Sequence, residues 1–183
     1  MNNVSTAFSS YEELNDNQSK LLQYINENPG IRYRELLRLT CIANGVLAYH
    51  LAVLEKSQQI KVNRSKKSKI TRYYPINIPA EESEILGYIR SNRVRQIILF
   101  ILEHDLCTFD ELIEHTKKAG STISWHLKRL KDAGIISIHY GHGEYPQLYK
   151  LTNRDIVAET VYKYKETLVD KVVNNYTEMV EEL

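Results

Sequence analysis

The sequence predicts a mainly α protein with small β-hairpins (α+β), built from two copies of one module and a long C-terminal helix. Three observations carry this prediction. Ile31 to Val62 lies over Cys107 to Ile138 without a gap, at an offset of 76. Apolar residues recur at helical spacing in short runs separated by Pro, Gly and capping residues. Each copy then closes with two alternating segments around a polar tip, the pattern of a hairpin.

The repeat is legible residue by residue. Arg32-Tyr33-Arg34-Glu35-Leu36-Leu37 matches Thr108-Phe109-Asp110-Glu111-Leu112-Ile113, and Leu47 to Leu54 matches Ile123 to Leu130. Upstream, Leu21, Leu22, Tyr24 and Ile25 lie over Ile97, Ile98, Phe100 and Ile101.

In the first copy, Leu21, Leu22 and Ile25 form a helical stripe that Asn28-Pro29-Gly30 ends. A second helix, Tyr33 to Leu39, is closed by Thr40-Cys41-Ile42-Ala43, and a third starts with Asn44 as N-cap. Leu47, Leu51 and Leu54 give that third helix one apolar face. Ile60 to Val62 and Ile70 to Tyr74 are strands flanking Asn63 to Lys69, and Pro75 and Pro79 bracket a linker.

In the second copy, a helical stretch from Glu82 to Glu103, bent near Ser91-Asn92, leads to Thr108 as N-cap with Glu111 three residues on, a capping box. Lys117-Lys118-Ala119-Gly120 is the turn, Ser121 caps the next helix and Gly134 ends it. Ile135 to Tyr140 and Gln147 to Leu151 are strands around Gly141-His142-Gly143-Glu144, and Asp155 to Glu182 is one long helix. The resulting organisation is a tail (1–15), a first module (16–76), a linker (77–81), a second module (82–152) and a C-terminal helix (153–183).

With 183 residues, 43% hydrophobic and 26% charged, the chain has apolar material for one or two compact domains, which argues against disorder. No apolar run reaches the roughly 18 to 20 residues a bilayer demands, and Met1 to Thr6 is no signal peptide, so the expected compartment is the cytoplasm. Cys41 and Cys107 stand alone, without CxxC or histidine at ligand spacing, so neither zinc nor a disulfide framework is expected. Cys107 reads as core and Cys41 as more exposed.

The net charge of +1 conceals an uneven distribution. Residues 1–16 hold three acids and no base, and residues 153–183 hold seven acids against four bases, so each end carries −3 and the middle +7. A basic middle between acidic ends fits a polyanion footprint, though solvated surfaces carry such surpluses too.

Helix, helix, tight turn, helix and hairpin is the order of a winged helix-turn-helix. Ser121 to Ile136, and Leu47 to Ile60, resemble the recognition helices of MarR- and ArsR-like winged-helix regulators. The duplication, with Asn28-Pro29-Gly30-Ile31-Arg32-Tyr33-Arg34-Glu35-Leu36, resembles the tandem winged-helix regulators common in archaea. The resemblance spans residues 16–152 and is more specific for fold than for function, because winged helices also bind proteins. It implies double-stranded DNA, a second copy of the chain and the basal transcription machinery as partners. The metal sensing known among ArsR-like proteins through cysteine-rich motifs is not expected, because those cysteines are absent, and neither a cofactor nor a membrane partner is expected.

Placing Ile123, Leu127 and Leu130 inward directs Ser121, Trp125, Lys128 and Asp132 outward, with Thr122 and Arg129 on a flank. Together with Ser124 and the turn residues Lys117 and Lys118, these are the candidates for major-groove and phosphate contact. A Lys-Arg pair on a surface helix can also be merely solvated. The first copy directs Gly45, Tyr49, Ala52 and Lys56 outward with Val53 beside them, an almost apolar face that suits a sugar-phosphate wall or a protein; Tyr49 is its candidate contact. Its basic charge lies in the hairpin, where Lys61, Arg64, Lys66, Lys67, Lys69 and Arg72 occur in twelve residues without an acid. The expected division of labour is phosphate attraction by that first wing and sequence readout by the second recognition helix.

His50 and His126 occupy equivalent positions, and rim packing is favoured for both over phosphate contact or pH sensing. In the C-terminal helix, Val161, Tyr164 and Leu168, then Val169, Val172, Tyr176, Met179 and Leu183, form a heptad-like seam with one slip near Leu168. Packing back on the chain would satisfy it, as would a homodimer, which the resemblance favours. No nucleophile, carboxylate pair or phosphate-cradling loop occurs at a catalytic spacing, so an enzyme is not expected. The expectation is a sequence-specific double-stranded DNA-binding transcription regulator; the alternatives are a tandem winged-helix protein-interaction adaptor and a low-specificity architectural DNA binder.

Overall fold

The computed structural model describes residues 15–64, 70–140 and 146–181, with side chains described as far as Leu168. Its order is α1 (Asp16–Glu27), β1 (Ile31–Arg32), α2 (Tyr33–Thr40), α3 (Asn44–Lys56), β2 (Ile60–Arg64), β3 (Thr71–Pro75), α4 (Ala80–Ile89), α5 (Asn92–His104), β4 (Cys107–Thr108), α6 (Phe109–Thr116), α7 (Gly120–Asp132), β5 (Ile136–His139), β6 (Leu148–Leu151) and α8 (Arg154–Glu181). The chain divides into two compact units, Met1–Asn26 with Ile31–Ile76, and Glu27–Gly30 with Asn77–Leu183.

The offset of 76 holds through the shared elements: α2 and α6 coincide end to end, as do α3 and α7. Each unit folds a three-stranded antiparallel sheet, ordered β1-β3-β2 in the first and β4-β6-β5 in the second. The inner strand sets the register, Tyr73 opposite Ile31 and Val62 in one sheet and Tyr149 opposite Cys107 and Ile138 in the other. The two-residue strands β1 and β4 carry too short a pattern to read from sequence.

Chemistry repeats as well as topology. Thr40 and Thr116, both buried, each donate from Oγ1 to the carbonyl four residues back, of Leu36 and Leu112, at 2.7 Å. Cys41 and Lys117 end α2 and α6 in the left-handed region, both at φ 53°. The capping box forms as expected at Thr108: its Oγ1 accepts from the Glu111 amide at 3.3 Å, and Glu111 Oε2 accepts from the Thr108 amide at 2.7 Å. Arg32 has no hydroxyl to offer, yet its amide still donates to Glu35 Oε2 at 2.9 Å.

Two expected caps are displaced by one and two residues. Asn44 is already helical, the N-cap being Ala43, and its Oδ1 accepts from the Tyr33 hydroxyl at 2.8 Å instead of from the helix amides. Ser121 lies inside the first turn of α7, because the amides of Thr122 and Ile123 close on the Ala119 carbonyl. The expected bend in residues 82–103 is a full break at Arg90-Ser91 between α4 and α5.

Leu21, Ile25, Leu36, Leu47 and Leu54 are fully buried in the first unit, each stabilising the fold by about 1.5–3 kcal/mol. The second unit repeats that core with Ile97, Ile98, Ile101, Leu112, Ile123 and Leu130. It then adds a second layer in which α8 packs on α4 and α5 through Val157, Thr160, Tyr164 and Leu168. Glu82 on α4 accepts hydrogen bonds from Lys163 Nζ at 2.7 Å and Tyr164 Oη at 2.6 Å. Arg90 donates to the carbonyl and the hydroxyl of Thr167, both at 3.3 Å. Arg154 joins the start of α8 to the end of α5, donating to the Leu102 carbonyl and pairing with Asp105, each at 3.0 Å. Tyr164 and Leu168 of the expected dimer seam are therefore spent inside the chain, and Val161 is half-buried. The seam had to find an apolar surface, and α4, the first half of the helical stretch expected over 82–103, supplies one. The side chains of Val169, Val172, Tyr176 and Met179 lie outside those described.

Candidate nucleic-acid interface

Helix α7 buries Ile123, His126, Leu127 and Leu130 and leaves Ser121, Ser124, Trp125, Lys128 and Asp132 exposed, with Thr122 and Arg129 half-buried on the flank. Lys117 and Lys118 are exposed in the turn before it. One helical face and its preceding turn thus collect hydroxyls, three lysines and an indole ring, a donor-rich surface of the kind that fits a groove.

The Arg129 side chain lies against two aromatic rings. Its guanidinium lies 4.6 Å from the centre of the Trp125 ring system and 5.6 Å from that of Tyr88 on α4, both within cation–π range. The Tyr88 hydroxyl reaches the Arg129 carbonyl at 3.4 Å. Sequence reasoning missed Tyr88, which no spacing connects to α7. It also missed Arg93, exposed at the start of α5 and near enough to His126 to act on it electrostatically. The repeat held a signal for Arg93, since it lies over Asn17, whose amide nitrogen approaches His50 Nε2 at 3.5 Å.

The two histidines are buried, and each meets the aromatic ring before it edge-on, Tyr49 for His50 and Trp125 for His126. Burial, then Arg129 and Arg93, pushes His126 below the ordinary imidazole range, favouring a neutral ring. His50 Nδ1 and His126 Nδ1 are buried without a hydrogen-bond partner. His104 and His115 both lie against the Phe100 ring, at 4.1 and 4.4 Å between centroids. Cys41 is exposed; Cys107 is buried, its thiol pushed up to about 12 by burial and then by Glu111.

The first unit presents a different surface. On α3, Gly45, Val46, Tyr49, Ala52 and Lys56 are exposed and Val53 is half-buried, an apolar face with the Tyr49 hydroxyl and Lys56 as its polar groups. Its hairpin is less available to phosphate than composition suggests. Arg72 is buried on the inner strand β3, opposite Arg32 and Asn63, so it lines the sheet and not the tip. Arg64 is exposed but bound through both terminal nitrogens to the Glu55 carboxylate on α3, an acid outside the basic stretch. Lys66, Lys67 and Lys69 lie outside the described residues, as do Gly141 to Glu144 of the second wing.

Residues 15–86 match the family model for an N-terminal HTH domain, HTH_HVO_0163_N, and residues 92–137 match that for bacterial regulatory proteins of the arsR family. The chain is a tandem winged helix-turn-helix protein. An uncharacterized HTH-type transcriptional regulator of Methanocaldococcus jannaschii is 27% identical to this tandem protein over 123 residues, 67% of the present chain. The tandem protein spans about 30% of the length of that relative. Among solved structures, HlyU from Vibrio cholerae is similar at 20% identity and TM-score 0.41, covering 47% of this chain and 90% of its own. The homodimeric winged helix-turn-helix DNA-binding domain of a possible ArsR-family regulator from Mycobacterium bovis gives 17% and 0.38, covering 54% of this chain and 83% of its own. Among the described residues of the tandem protein, no single helix is long and apolar enough to cross a membrane.

Proposed function

We propose that this chain is a sequence-specific, double-stranded DNA-binding transcription regulator whose helix α7 reads the major groove. The observation that carries the reading is the exposed face of α7, with Ser121, Ser124, Trp125 and Lys128 presented together within the segment that matches the arsR-family model. Hydroxyls at the first turn suit phosphate, Lys128 and Arg129 offer donors to phosphate or guanine, and Trp125 offers an apolar surface to a thymine methyl or sugar. In the first unit the wing lysines Lys66, Lys67 and Lys69 carry the phosphate attraction, since Arg72 is buried and Arg64 is paired. A homodimer belongs to the same proposal, seated on the part of α8 beyond Leu168, where the sequence seam continues through Val169, Val172, Tyr176 and Met179.

The apolar face of α3 favours one secondary role, contact with protein, the basal transcription machinery included, because Tyr49 and Val46 stand 65% and 42% exposed beside few donors. The test is fluorescence anisotropy against a pool of genomic duplexes across salt concentrations, with sequencing of the bound fraction. An enriched motif whose discrimination survives salt and is lost in the Lys128→Ala, Arg129→Ala double variant supports the regulator. Salt-sensitive binding without a motif indicates an architectural binder, and no binding a protein adaptor.

A further inference from the structure

The geometry points to Tyr88 as a positioning residue for DNA recognition, one that holds the Arg129 guanidinium over Trp125 before any duplex arrives; this rests on the reading of α7 given above. An unrestrained arginine samples many rotamers and loses that freedom on binding. A guanidinium stacked on aromatic faces keeps its N–H edges available for phosphate or a guanine edge, so stacking fixes the group without consuming its hydrogen bonds.

Arg129 has such contacts on two elements. Trp125, four residues earlier on α7, lies 4.6 Å away and Tyr88 of α4 lies 5.6 Å away, while the Tyr88 hydroxyl meets the Arg129 backbone carbonyl at 3.4 Å. Tyr88 is itself well anchored. The adjacent Ile89 is fully buried, Arg90 is bonded to Thr167, and Glu82 at the other end of α4 is bonded to Lys163 and Tyr164, so α4 is fixed at both ends to α8. The device belongs to the second module alone, because the repeat places Val53 at the position of Arg129.

The experiment compares wild type, Tyr88→Leu, Tyr88→Phe and Arg129→Ala, with Tyr88→Leu repeated in the Arg129→Ala background, all as full chains. Trp125 is the one tryptophan in the sequence, so acrylamide quenching of its fluorescence reports on the stack without any DNA. Tyr88→Leu is expected to raise the quenching constant by uncovering the indole, and to weaken binding to the selected duplex about two- to fivefold. Tyr88→Phe keeps the ring and restores most of that loss. In the Arg129→Ala background, Tyr88→Leu is expected to change affinity no further, which a general loss of packing would not reproduce. An unchanged quenching constant, an unchanged affinity, or a loss that persists in full without Arg129 overturns the proposal. If wild type binds no duplex, the regulator reading and the recognition role fail together, and quenching alone then decides whether Tyr88 places Arg129.

Discussion

Gln58 and Gly134, 76 positions apart, leave their helices through the same left-handed turn, at φ 56° and 69°. Glycine adopts that backbone freely and glutamine does so at a cost, so the two copies solve one geometric problem with unequal efficiency.

Gly134→Ala is expected to lower stability by about 1 kcal/mol through the backbone alone, since an added Cβ there meets nothing within 4 Å. Gln58→Gly is expected to raise stability by a few tenths of a kcal/mol up to about 1, the relief of the turn outweighing the extra freedom of the unfolded chain. Urea denaturation of both variants measures the pair, and opposite signs are the expected outcome.

Much of the fold was legible for the reason that links these two residues. Duplication doubles the signal: a weak stripe such as Leu47, Leu51 and Leu54 becomes firm when Ile123, Leu127 and Leu130 repeat it. Exposure on α7 was legible too, because helical periodicity alone sorts Ser121, Trp125 and Lys128 from the core. What escaped depends on tertiary placement. That Arg72 lies on an inner strand follows from a third, two-residue strand, and that Arg64 meets Glu55 follows from the packing of β2 beside α3. Tyr88 and Arg129 are 41 residues apart, and no local pattern brings them together.

The Glu82 clasp makes the second unit sensitive to acid. Burial alone would raise the Glu82 carboxyl, but hydrogen bonds from Lys163 and Tyr164 outweigh it and hold the group below the ordinary carboxylate range. A lowered pKa contributes stability that is complete above the unfolded value and lost as pH falls through the folded one. The same bond raises Lys163, whose share is lost only as pH rises through its elevated value. Glu82→Gln is expected to cost about 1 kcal/mol at neutral pH, a modest figure because Lys163 is solvent-exposed, and the deficit shrinks as the pH is lowered into the acid range. Thermal melts of both proteins across pH measure it.

Releasing Arg64 from its internal partner is expected to strengthen salt-sensitive duplex binding. Glu55→Gln frees one wing cation and should steepen the slope of log affinity against log salt by about 0.9. Replacing Lys66, Lys67 and Lys69 by alanine together should flatten the slope by up to about 2.7 without changing the preferred sequence. Anisotropy titrations at several salt concentrations read both, and a shift in sequence preference would show that the first wing takes part in readout.

Arg72 separates composition from role. Because it is buried on β3, Arg72→Ala is expected to destabilise the first unit by about 1–3 kcal/mol while leaving the salt slope of DNA binding unchanged. Chemical denaturation gives the first quantity and anisotropy the second.

Among the described residues, the sheet order β1-β3-β2 leaves β2 with no strand paired on its outer side, and an open strand is a template on which another chain can polymerise. Lys61 and Arg64 stand on that strand, and their charge discourages such growth whether or not nucleic acid is bound. The counterpart β5, Ile136 to His139, carries no Lys, Arg, Asp or Glu and relies on its four-residue length. Erasing the charge of β2 with alanine would therefore invite aggregation and mimic a loss of function, whereas reversal to glutamate repels phosphate and keeps the strand guarded.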